Sequence, residues 1–421
     1  MQNFDLNFLF YSEEYEEWKQ TLDALRELDE DRIGRACAWL IRRLVAFASE
    51  YGLEGNLWQH WLAYILIMHE NPFTLACERM EISADAALAE LAKPDLRRFR
   101  ELFRGSFDDE MVMAITNYQS PYVNSSGSGL IEVSPGFRIR SFSEKLAAAE
   151  DNEVFFKAVT GEYAQYGCGA FALCRAFRVS GDSGEMQLVP IAENSDVTMD
   201  DLIGYESQKE TLKANTEAFV SGLHANNVLL YGDSGTGKST SIHALMHDYF
   251  HRGMRLVEIS KPARKFMPQV LSEVKKRNYR FIIFLDDLSF EENESDYKEL
   301  KAMLEGALET REDRVLIYAT SNRRHLIRET WKDRSDMEYE NDIHRSDTME
   351  EKLSLASRFG VAIYYAKPDP QEYLHIVREL AERNGISLEG ADLDDAARKW
   401  ELRHGGMSGR TASQLITWLK K

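Results

Sequence analysis

Cysteine is scarce in this sequence. The 421 residues include only four, Cys37, Cys77, Cys168 and Cys174. They lack the short paired spacings of a zinc site, and they are too few for a disulfide-stabilised scaffold. We therefore predict reduced thiols in a cytoplasmic protein, with neither a structural zinc site nor disulfide bridges.

Long apolar runs are also missing. The most apolar stretch, WLAYILIM at residues 61–68, is far too short to span a bilayer. The first residues, MQNFDLNFLF, have no basic segment ahead of an apolar run, as a signal peptide would have. The sequence therefore predicts a soluble protein with no membrane partner.

Basic residues are also fewer than acidic ones. Lysine and arginine number 51 against 70 aspartates and glutamates, and the net charge is −19. Such a chain has no broad electrostatic footprint for nucleic acid or anionic lipid. The one strongly basic stretch, residues 261–280, is typical of a solvated helix face. A local grip on an anionic substrate, nucleic acid or peptide stays open there, through Lys261, Arg264, Lys265 and Phe266.

The first part of the chain, residues 1–195, predicts a mostly helical N-terminal domain with a partner-binding or regulatory role. Apolar residues recur at helical spacing through most of it. Asn71-Pro72 and Lys93-Pro94 predict helix boundaries. Near its end, GAFALCRAFRV and EMQLVPI flank SGDSG, a pattern that indicates a β-hairpin.

The remainder predicts an α/β domain followed by a helical lid. In residues 196–368, five short apolar strands alternate with helices. This is typical of a parallel five-stranded sheet covered on both faces. Residues 369–421 contain no strand pattern and predict three helices, near 370–384, 391–403 and 408–420.

The string GDSGTGKS, residues 232–239, fits the phosphate-loop pattern G-x-x-x-x-G-K-[ST] and lies between a predicted strand and a predicted helix. Its glycines let backbone N–H groups turn towards phosphate oxygens, and the helix presents its positive end to the same phosphates. Lys238 is predicted to reach the β- and γ-phosphates, and Ser239 to coordinate Mg²⁺. The predicted binding residues for ATP are Gly232, Asp233, Ser234, Gly235, Thr236, Gly237, Lys238, Ser239 and Thr240.

FIIFLDD, residues 281–287, ends a predicted buried strand in two carboxylates. The first, Asp286, is expected near Mg²⁺, as the strand-terminal aspartate of P-loop NTPases is. The second, Asp287, is the candidate for orienting or deprotonating the attacking water. The alternative for Asp287 is a turn or helix-capping residue.

In this order the features resemble an AAA+ ATPase. The resemblance implies that Asn322, in VLIYATSN, contacts the γ-phosphate and water, and that Arg358, in SLASRFG, is an arginine finger. It also implies that Arg410, in GGMSGRTASQL, is a second sensor, and that Ile203 and Gly204 border the adenine. Arg323 and Arg324 remain candidates for a phosphate or subunit contact, and Arg345 is a second candidate finger.

Longer strings are similar to one uncharacterised bacterial AAA+ family, known as domain of unknown function 815. They include DDLIGYESQKETLKANTEAF, FLDDLSFEE and YATSNRRHLI, and the similarity extends back to GAFALCRAFRV. The sequence departs from the commonest AAA+ pattern at Asp287, where that pattern has glutamate. The shorter side chain leads us to expect slow hydrolysis.

The resemblance implies a homo-oligomeric ring, such as a hexamer, in which an arginine finger reaches the neighbouring subunit's site. Our main hypothesis is an ATPase that uses ATP and Mg²⁺ to remodel or load a macromolecule chosen by the N-terminal domain. One alternative is a nucleotide-gated binding module with negligible turnover. Another is a P-loop kinase acting on a small molecule, which Asn322 and the SRFG string disfavour.

Overall fold

The structure, a computed structural model, describes residues 9–10, 15–17, 19–20, 30–80, 86–105, 110–119, 134–181, 185–191, 197–288, 314–322, 359–388 and 390–420. The chain divides into two compact units, Met1–Cys174 and Arg175–Lys421. Across these described ranges, no helix is long and apolar enough to cross a membrane.

The first unit is helical over its described residues. Its helices are α1 (Glu30–Tyr51), α2 (Leu57–Met68), α3 (Pro72–Glu78), α4 (Ala86–Arg104), α5 (Glu110–Thr116), α6 (Pro135–Ala147), α7 (Asn152–Tyr166) and α8 (Ala170–Leu173). Several begin at a polar residue whose side chain accepts a hydrogen bond from a first-turn N–H group, which stabilises the helix start. These caps are Asn56, Asn71, Ser134 and Asp151.

Aromatic side chains fill the core of this unit. Trp58, Trp61 and Tyr163 are among the largest fully buried residues. The Trp58 indole N–H donates to the Leu102 carbonyl at 3.1 Å, and the Tyr163 hydroxyl donates to the Leu66 carbonyl at 2.7 Å. The polar groups of Trp58 and Tyr163 are therefore hydrogen-bonded inside an otherwise apolar core, which avoids the cost of an unpaired buried donor.

Of the two helix boundaries predicted at prolines, one is correct. Pro72 is the first residue of α3, where its missing N–H costs nothing. Pro94, in contrast, lies inside α4, which continues through it to Arg104. Ala92 and Leu96, on either side of Pro94, are almost fully buried. Burial of this helix face outweighs the local cost of the proline, and the prediction there was wrong.

The second unit contains a sheet with helices between its strands. The strands are β1 (Ala176–Ser180), β2 (Gln187–Pro190), β3 (Val228–Gly232), β4 (Met254–Glu258), β5 (Arg280–Leu285), β6 (Val315–Ser321) and β7 (Val361–Tyr365). The helices are α9 (Glu206–Val220), α10 (Lys238–Tyr249), α11 (Met267–Lys275), α12 (Pro370–Arg383), α13 (Ala391–Arg403) and α14 (Gly409–Leu419). Three 3₁₀ turns are Met199–Asp201, Phe250–Arg252 and Lys261–Phe266. The last three helices lie close to their predicted positions.

The sheet has seven strands in the order β2-β1-β4-β5-β6-β3-β7, and the prediction of five was wrong. The five predicted strands are all present and parallel to their neighbours. The predicted hairpin supplies the other two, because β1 pairs in parallel with β4 and antiparallel with β2. Pairing with β2 satisfies the hydrogen-bonding groups on only one edge of β1. The other edge pairs with β4, so β1 belongs to this sheet and not to the helical domain in which it was predicted.

The strand order determines where the functional loops meet. In the sheet, β6 lies between β5 and β3. All three strands are parallel, so the loops that follow them leave from the same edge. Residues of β5 and β6 are buried almost throughout, as expected for strands covered on both faces. The acidic pair, the polar end of β6 and the phosphate loop are therefore neighbours at this edge.

Candidate nucleotide-binding site

The phosphate loop joins β3 to α10. Gly232 ends the strand with φ of +134°, and a Cβ there would lie 2.1 Å from the Tyr365 carbonyl oxygen. Gly237 precedes the helix with φ of +91°. Residues other than glycine rarely adopt such backbone angles, and Gly232 also has no space for a side chain. The glycines of the motif are thus required by the path of the loop.

Lys238 folds back over this loop. Its Nζ donates to the Asp233 carbonyl at 2.5 Å and to the Gly232 carbonyl at 3.3 Å. Burial lowers the pKa of the ammonium group, and the nearby carboxylates, including Asp233 and Asp286, partly oppose this shift. Among the described residues, this buried ammonium donates only to neutral carbonyls of its own loop. It would gain from an anion, because charge-assisted hydrogen bonds are the stronger ones.

Ser239 and Asp286 supply a pair of oxygen ligands. The Ser239 hydroxyl donates to Asp286 Oδ1 at 2.8 Å, and Thr320 donates to the same atom at 2.5 Å. Both Ser239 and Asp286 retain solvent exposure. Hydroxyl and carboxylate oxygens suit Mg²⁺, which keeps several waters and binds through few protein ligands together with substrate phosphates. The donor set therefore fits this ion.

Asp287 and Asn322 meet beside the metal ligands. The Asn322 amide Nδ2 donates to Asp287 Oδ1 at 2.7 Å, and both residues are exposed. Asp287 has φ of +50°, in the left-handed region that few residues other than glycine adopt. The structure therefore brings the predicted sensor directly to the predicted water-activating carboxylate.

The lid helices also reach the phosphate loop. The N–H of Arg410, in the first turn of α14, donates to the Gly235 carbonyl at 3.3 Å. The Arg410 side chain is exposed and close enough to Lys238 to contribute to lowering the pKa of the Lys238 ammonium group. The Asp233 carboxylate accepts a hydrogen bond from the Lys367 N–H at 3.1 Å, in the link between β7 and the lid.

The predicted adenine border lies between sheet and lid. Ile203 packs against the apolar core of the lid helices, and a Cβ on Gly204 would meet open space. Next to them, the Tyr205 ring stacks on Tyr365 at 5.2 Å, and its hydroxyl donates to the Ala366 carbonyl at 2.8 Å. No sequence pattern indicates this tyrosine pair, because only the fold brings the two rings together.

The remaining candidate arginines, Arg323, Arg324, Arg345 and Arg358, lie outside the described residues. The basic stretch 261–280 is described throughout. Arg277 is buried over the Tyr279 ring, and Lys276 pairs with Glu273 at 2.6 Å. Lys261 and Lys265 are exposed. Part of the positive charge in this stretch therefore has a structural role.

Two comparisons with known proteins found similarity. A family model described as "Protein of unknown function (DUF815)" matches residues 172–421, more than half of the chain. The solved Thermotoga maritima RuvB Holliday junction branch migration motor is similar at 19% identity with a TM-score of 0.36. That match covers 52% of this chain and 63% of the RuvB chain, less than two thirds of its length. Two point variants of the same RuvB give the same values.

A search of curated proteins found no match. The phosphate loop, the acidic pair and the polar strand end at one edge of a mostly parallel sheet define an α/β protein with a phosphate-loop motif. Within that class, the chain belongs to the DUF815 family.

Proposed function

We propose that this protein is a slow, Mg²⁺-dependent ATPase that couples hydrolysis to remodelling or loading of a macromolecule. The observation that carries the proposal is the meeting of three chain segments at one sheet edge. Ser239 from the phosphate loop contacts Asp286 at 2.8 Å, and Asn322, directly after β6, contacts Asp287 at 2.7 Å. Binding, metal and water-activating groups are thus within reach of one nucleotide.

In this proposal each residue has one task. Lys238 exchanges its loop carbonyls for the β- and γ-phosphates. Ser239 and Asp286 would hold Mg²⁺, which supplies positive charge to the phosphate oxygens. Asp287 orients or deprotonates the attacking water, and Asn322 holds the Asp287 carboxylate in place.

The lid and the segment before α9 complete the proposed site. Burial is the main reason why the pKa of the Lys238 ammonium group is lowered, and the charge of the exposed Arg410 adds to it. This proximity supports a contact between Arg410 and the phosphates. A bound anion would relieve the repulsion between the two cations. Ile203 and Gly204 would border the adenine, with the open space at Gly204 available to the base. A cytoplasmic location, where ATP is supplied, belongs to the same proposal.

The central test is Asp287→Asn in a phosphate-release assay. The amide keeps the size of the side chain but cannot accept a proton, so turnover should fall by about 100-fold or more. Binding of Mg²⁺-ATP should stay within about threefold, because Asp286 and Lys238 are intact. The matched control is Glu273→Gln, which changes a carboxylate paired with Lys276 on α11 and should leave both quantities unchanged.

Two outcomes would overturn the role of Asp287. Parental turnover in Asp287→Asn means that the residue is structural and that another group activates water. Negligible turnover in the parent itself favours a nucleotide-gated binding module. The binding module is favoured by the short side chain of Asp287, which already accepts a hydrogen bond from Asn322. Nucleotide-dependent capture of a client without phosphate release would establish it.

The proposed ring rests on Arg358, whose assignment as an arginine finger comes from the sequence alone. Arg358→Ala should bind ATP nearly as well as the parent, but its turnover should fall by about 1000-fold, as with other arginine fingers. Lys238→Ala should also be inactive, since its own site is dead. Mixing the two should restore part of the activity, because some interfaces then join an intact site to an intact finger.

The mixing experiment needs proof of subunit exchange, for example by energy transfer between labelled subunits. No recovery in an exchanging oligomer would mean that Arg358 acts within its own subunit or only in packing. Arg345→Ala, run in parallel, tests the second candidate finger. The client, proposed to bind through residues 1–195, can be sought by co-purification with Asp287→Asn.

A further inference from the structure

Thr320 touches both members of the acidic pair. Its hydroxyl donates to Asp286 Oδ1 at 2.5 Å and accepts from the Asp287 N–H at 2.9 Å. The Thr320 hydroxyl therefore contacts two residues of the candidate site. These are the carboxylate of Asp286, the candidate metal ligand, and the backbone N–H of Asp287, the candidate for activating water. Thr320 itself is only 2% exposed, so its side chain is not accessible to nucleotide or solvent.

The sheet places Thr320 opposite this pair. In the parallel pairing of β5 with β6, Leu285 lies beside Ala319, so the next residues on each strand are Asp286 and Thr320. The Thr320 carbonyl also accepts from the Leu288 N–H at 2.7 Å. The end of β6 thus holds three successive residues after β5, one through its side chain and two through their N–H groups.

The backbone of Asp287 makes this contact consequential. Its φ of +50° lies in the left-handed region, which is unfavourable for a residue with a Cβ. The Asp287 N–H bond to Thr320 and the carboxylate bond to Asn322 hold this conformation from both ends. Without the hydrogen bond to Thr320, the Asp287 N–H is no longer held in place. Of these two bonds, only the one from Asn322 would then orient the Asp287 carboxylate.

We propose that Thr320 is a positioning residue that orients Asp286 for Mg²⁺ and Asp287 for water. This inference rests on the proposed ATPase function for its turnover effect, but its effects on Mg²⁺ binding and on the Asp287 amide do not depend on turnover. The task requires one hydroxyl that donates and accepts at once. Serine can do this, whereas valine, which has the same shape as threonine, cannot.

The experiment compares Thr320→Val and Thr320→Ala, which both lose the hydroxyl, with Thr320→Ser, which keeps it. The first readout is the Mg²⁺ concentration that gives half of the Mg²⁺-dependent change in ADP affinity, measured by calorimetry. We expect the Val and Ala variants to need about 10-fold more Mg²⁺, the usual size of an outer-shell effect on metal affinity. ADP affinity in EDTA should not change, and Thr320→Ser should restore the parental Mg²⁺ dependence.

Two further readouts separate positioning from packing. Hydrogen exchange at the Asp287 amide should accelerate in nucleotide-free Thr320→Val and Thr320→Ala, and return to the parental rate in Thr320→Ser. The kcat for ATP should fall by about 10–100-fold with little change in KM. Thr320→Ala serves if valine prevents folding, because it removes the same hydrogen bonds without adding volume.

The matched control is Ser321→Ala. Ser321 is fully buried, and its hydroxyl donates to the Leu288 carbonyl at 2.8 Å without touching either carboxylate. This variant should lose thermal stability while keeping the parental Mg²⁺ dependence. If Ser321→Ala and Thr320→Ala raise the required Mg²⁺ concentration equally, or if neither raises it, Thr320 contributes only to packing and the proposal fails. An inactive parent would instead defeat the ATPase proposal, leaving Mg²⁺ binding and amide exchange to decide Thr320.

Discussion

Both compact units bury charged side chains, but the partners of these charges differ in kind. In the helical unit, Glu162 is 3% exposed and is held by Arg138 at 3.3 Å and Lys145 at 3.4 Å. Asp95 is 1% exposed and accepts from the N–H groups of Leu9 and Phe10. These partners belong to the same unit, and they connect segments far apart in its sequence.

In the α/β unit, the charged side chains of the candidate site have partners that a ligand could replace. Lys238 is 5% exposed, yet it is bonded to carbonyl oxygens of its own loop. Asp286 accepts from two hydroxyls, one of which, Ser239, is itself a candidate metal ligand. The comparison teaches that burial of a charge does not by itself identify a site. Partners that can be exchanged for phosphate or metal distinguish this one.

The largest expected effect is on nucleotide binding in Lys238→Ala. Loss of the ammonium group should weaken ATP binding by at least about 1000-fold, or about 4.1 kcal/mol, measured by calorimetry. Thermal stability should change little, because the removed charge is held by neutral carbonyls. The control is Lys209→Ala on α9, a lysine 8% exposed and paired with Glu206. Unchanged ATP affinity in Lys238→Ala would contradict the phosphate-loop assignment.

A smaller effect is expected for Glu162→Gln, which tests the structural side of the comparison. Neutralising this carboxylate leaves Arg138 without its charged partner, and Arg138 is only 12% exposed. We expect the free energy of unfolding to fall by about 3 kcal/mol, with no change in ATP affinity.

The control for Glu162→Gln is Glu153→Gln on the same helix. Its exposed pair with Lys157 should contribute less than about 0.5 kcal/mol. The comparison between the two units fails if Glu162→Gln changes nucleotide binding while stability is preserved.

The smallest expected effect concerns His60 and pH. His60 is 5% exposed, its Nε2 lies 2.7 Å from the Glu54 carbonyl, and its Nδ1 has no partner among the described residues. Burial lowers its pKa below the ordinary 6.5. The unfolded chain therefore binds the proton more readily, and the stability from neutral His60 is present above pH 6.5 and lost as pH falls through the folded pKa.

For one group, this loss cannot exceed about 1.4 kcal/mol per pH unit. His60→Gln, whose amide can donate to the same carbonyl, should flatten the stability of the helical unit between pH 6.5 and pH 5. The measurement is urea unfolding of both proteins across this range. A parallel pH dependence in parent and variant would remove His60 as the cause.

Much of the nucleotide-binding unit could be predicted from the sequence. The strings GDSGTGKS and FIIFLDD carry their chemistry in neighbouring residues, and the parallel strands read as short apolar runs. The three lid helices lie close to their predicted bounds because their apolar residues repeat at helical spacing. Asn322 was found through a family resemblance, and the structure brings it to Asp287.

Other features depend on contacts between residues distant in the chain. The hairpin is a local pattern, but only the free edge of β4 decides that it joins the nucleotide-binding sheet. Pro94 marks a helix boundary locally, yet burial of α4 carries the helix through it. The stacking of Tyr205 on Tyr365 likewise joins residues that nothing in the sequence connects.

The sequence by itself determined where the phosphate-loop motif and the acidic pair lie, because each is one contiguous string at the end of a strand. Only the tertiary structure decided how these residues are arranged relative to one another. Thr320 reaches Asp286 and the Asp287 N–H because β5 and β6 pair in register, and the same pairing holds Asp287 at a positive φ. A local pattern specifies which groups are present, whereas their orientation depends on hydrogen bonds across the sheet.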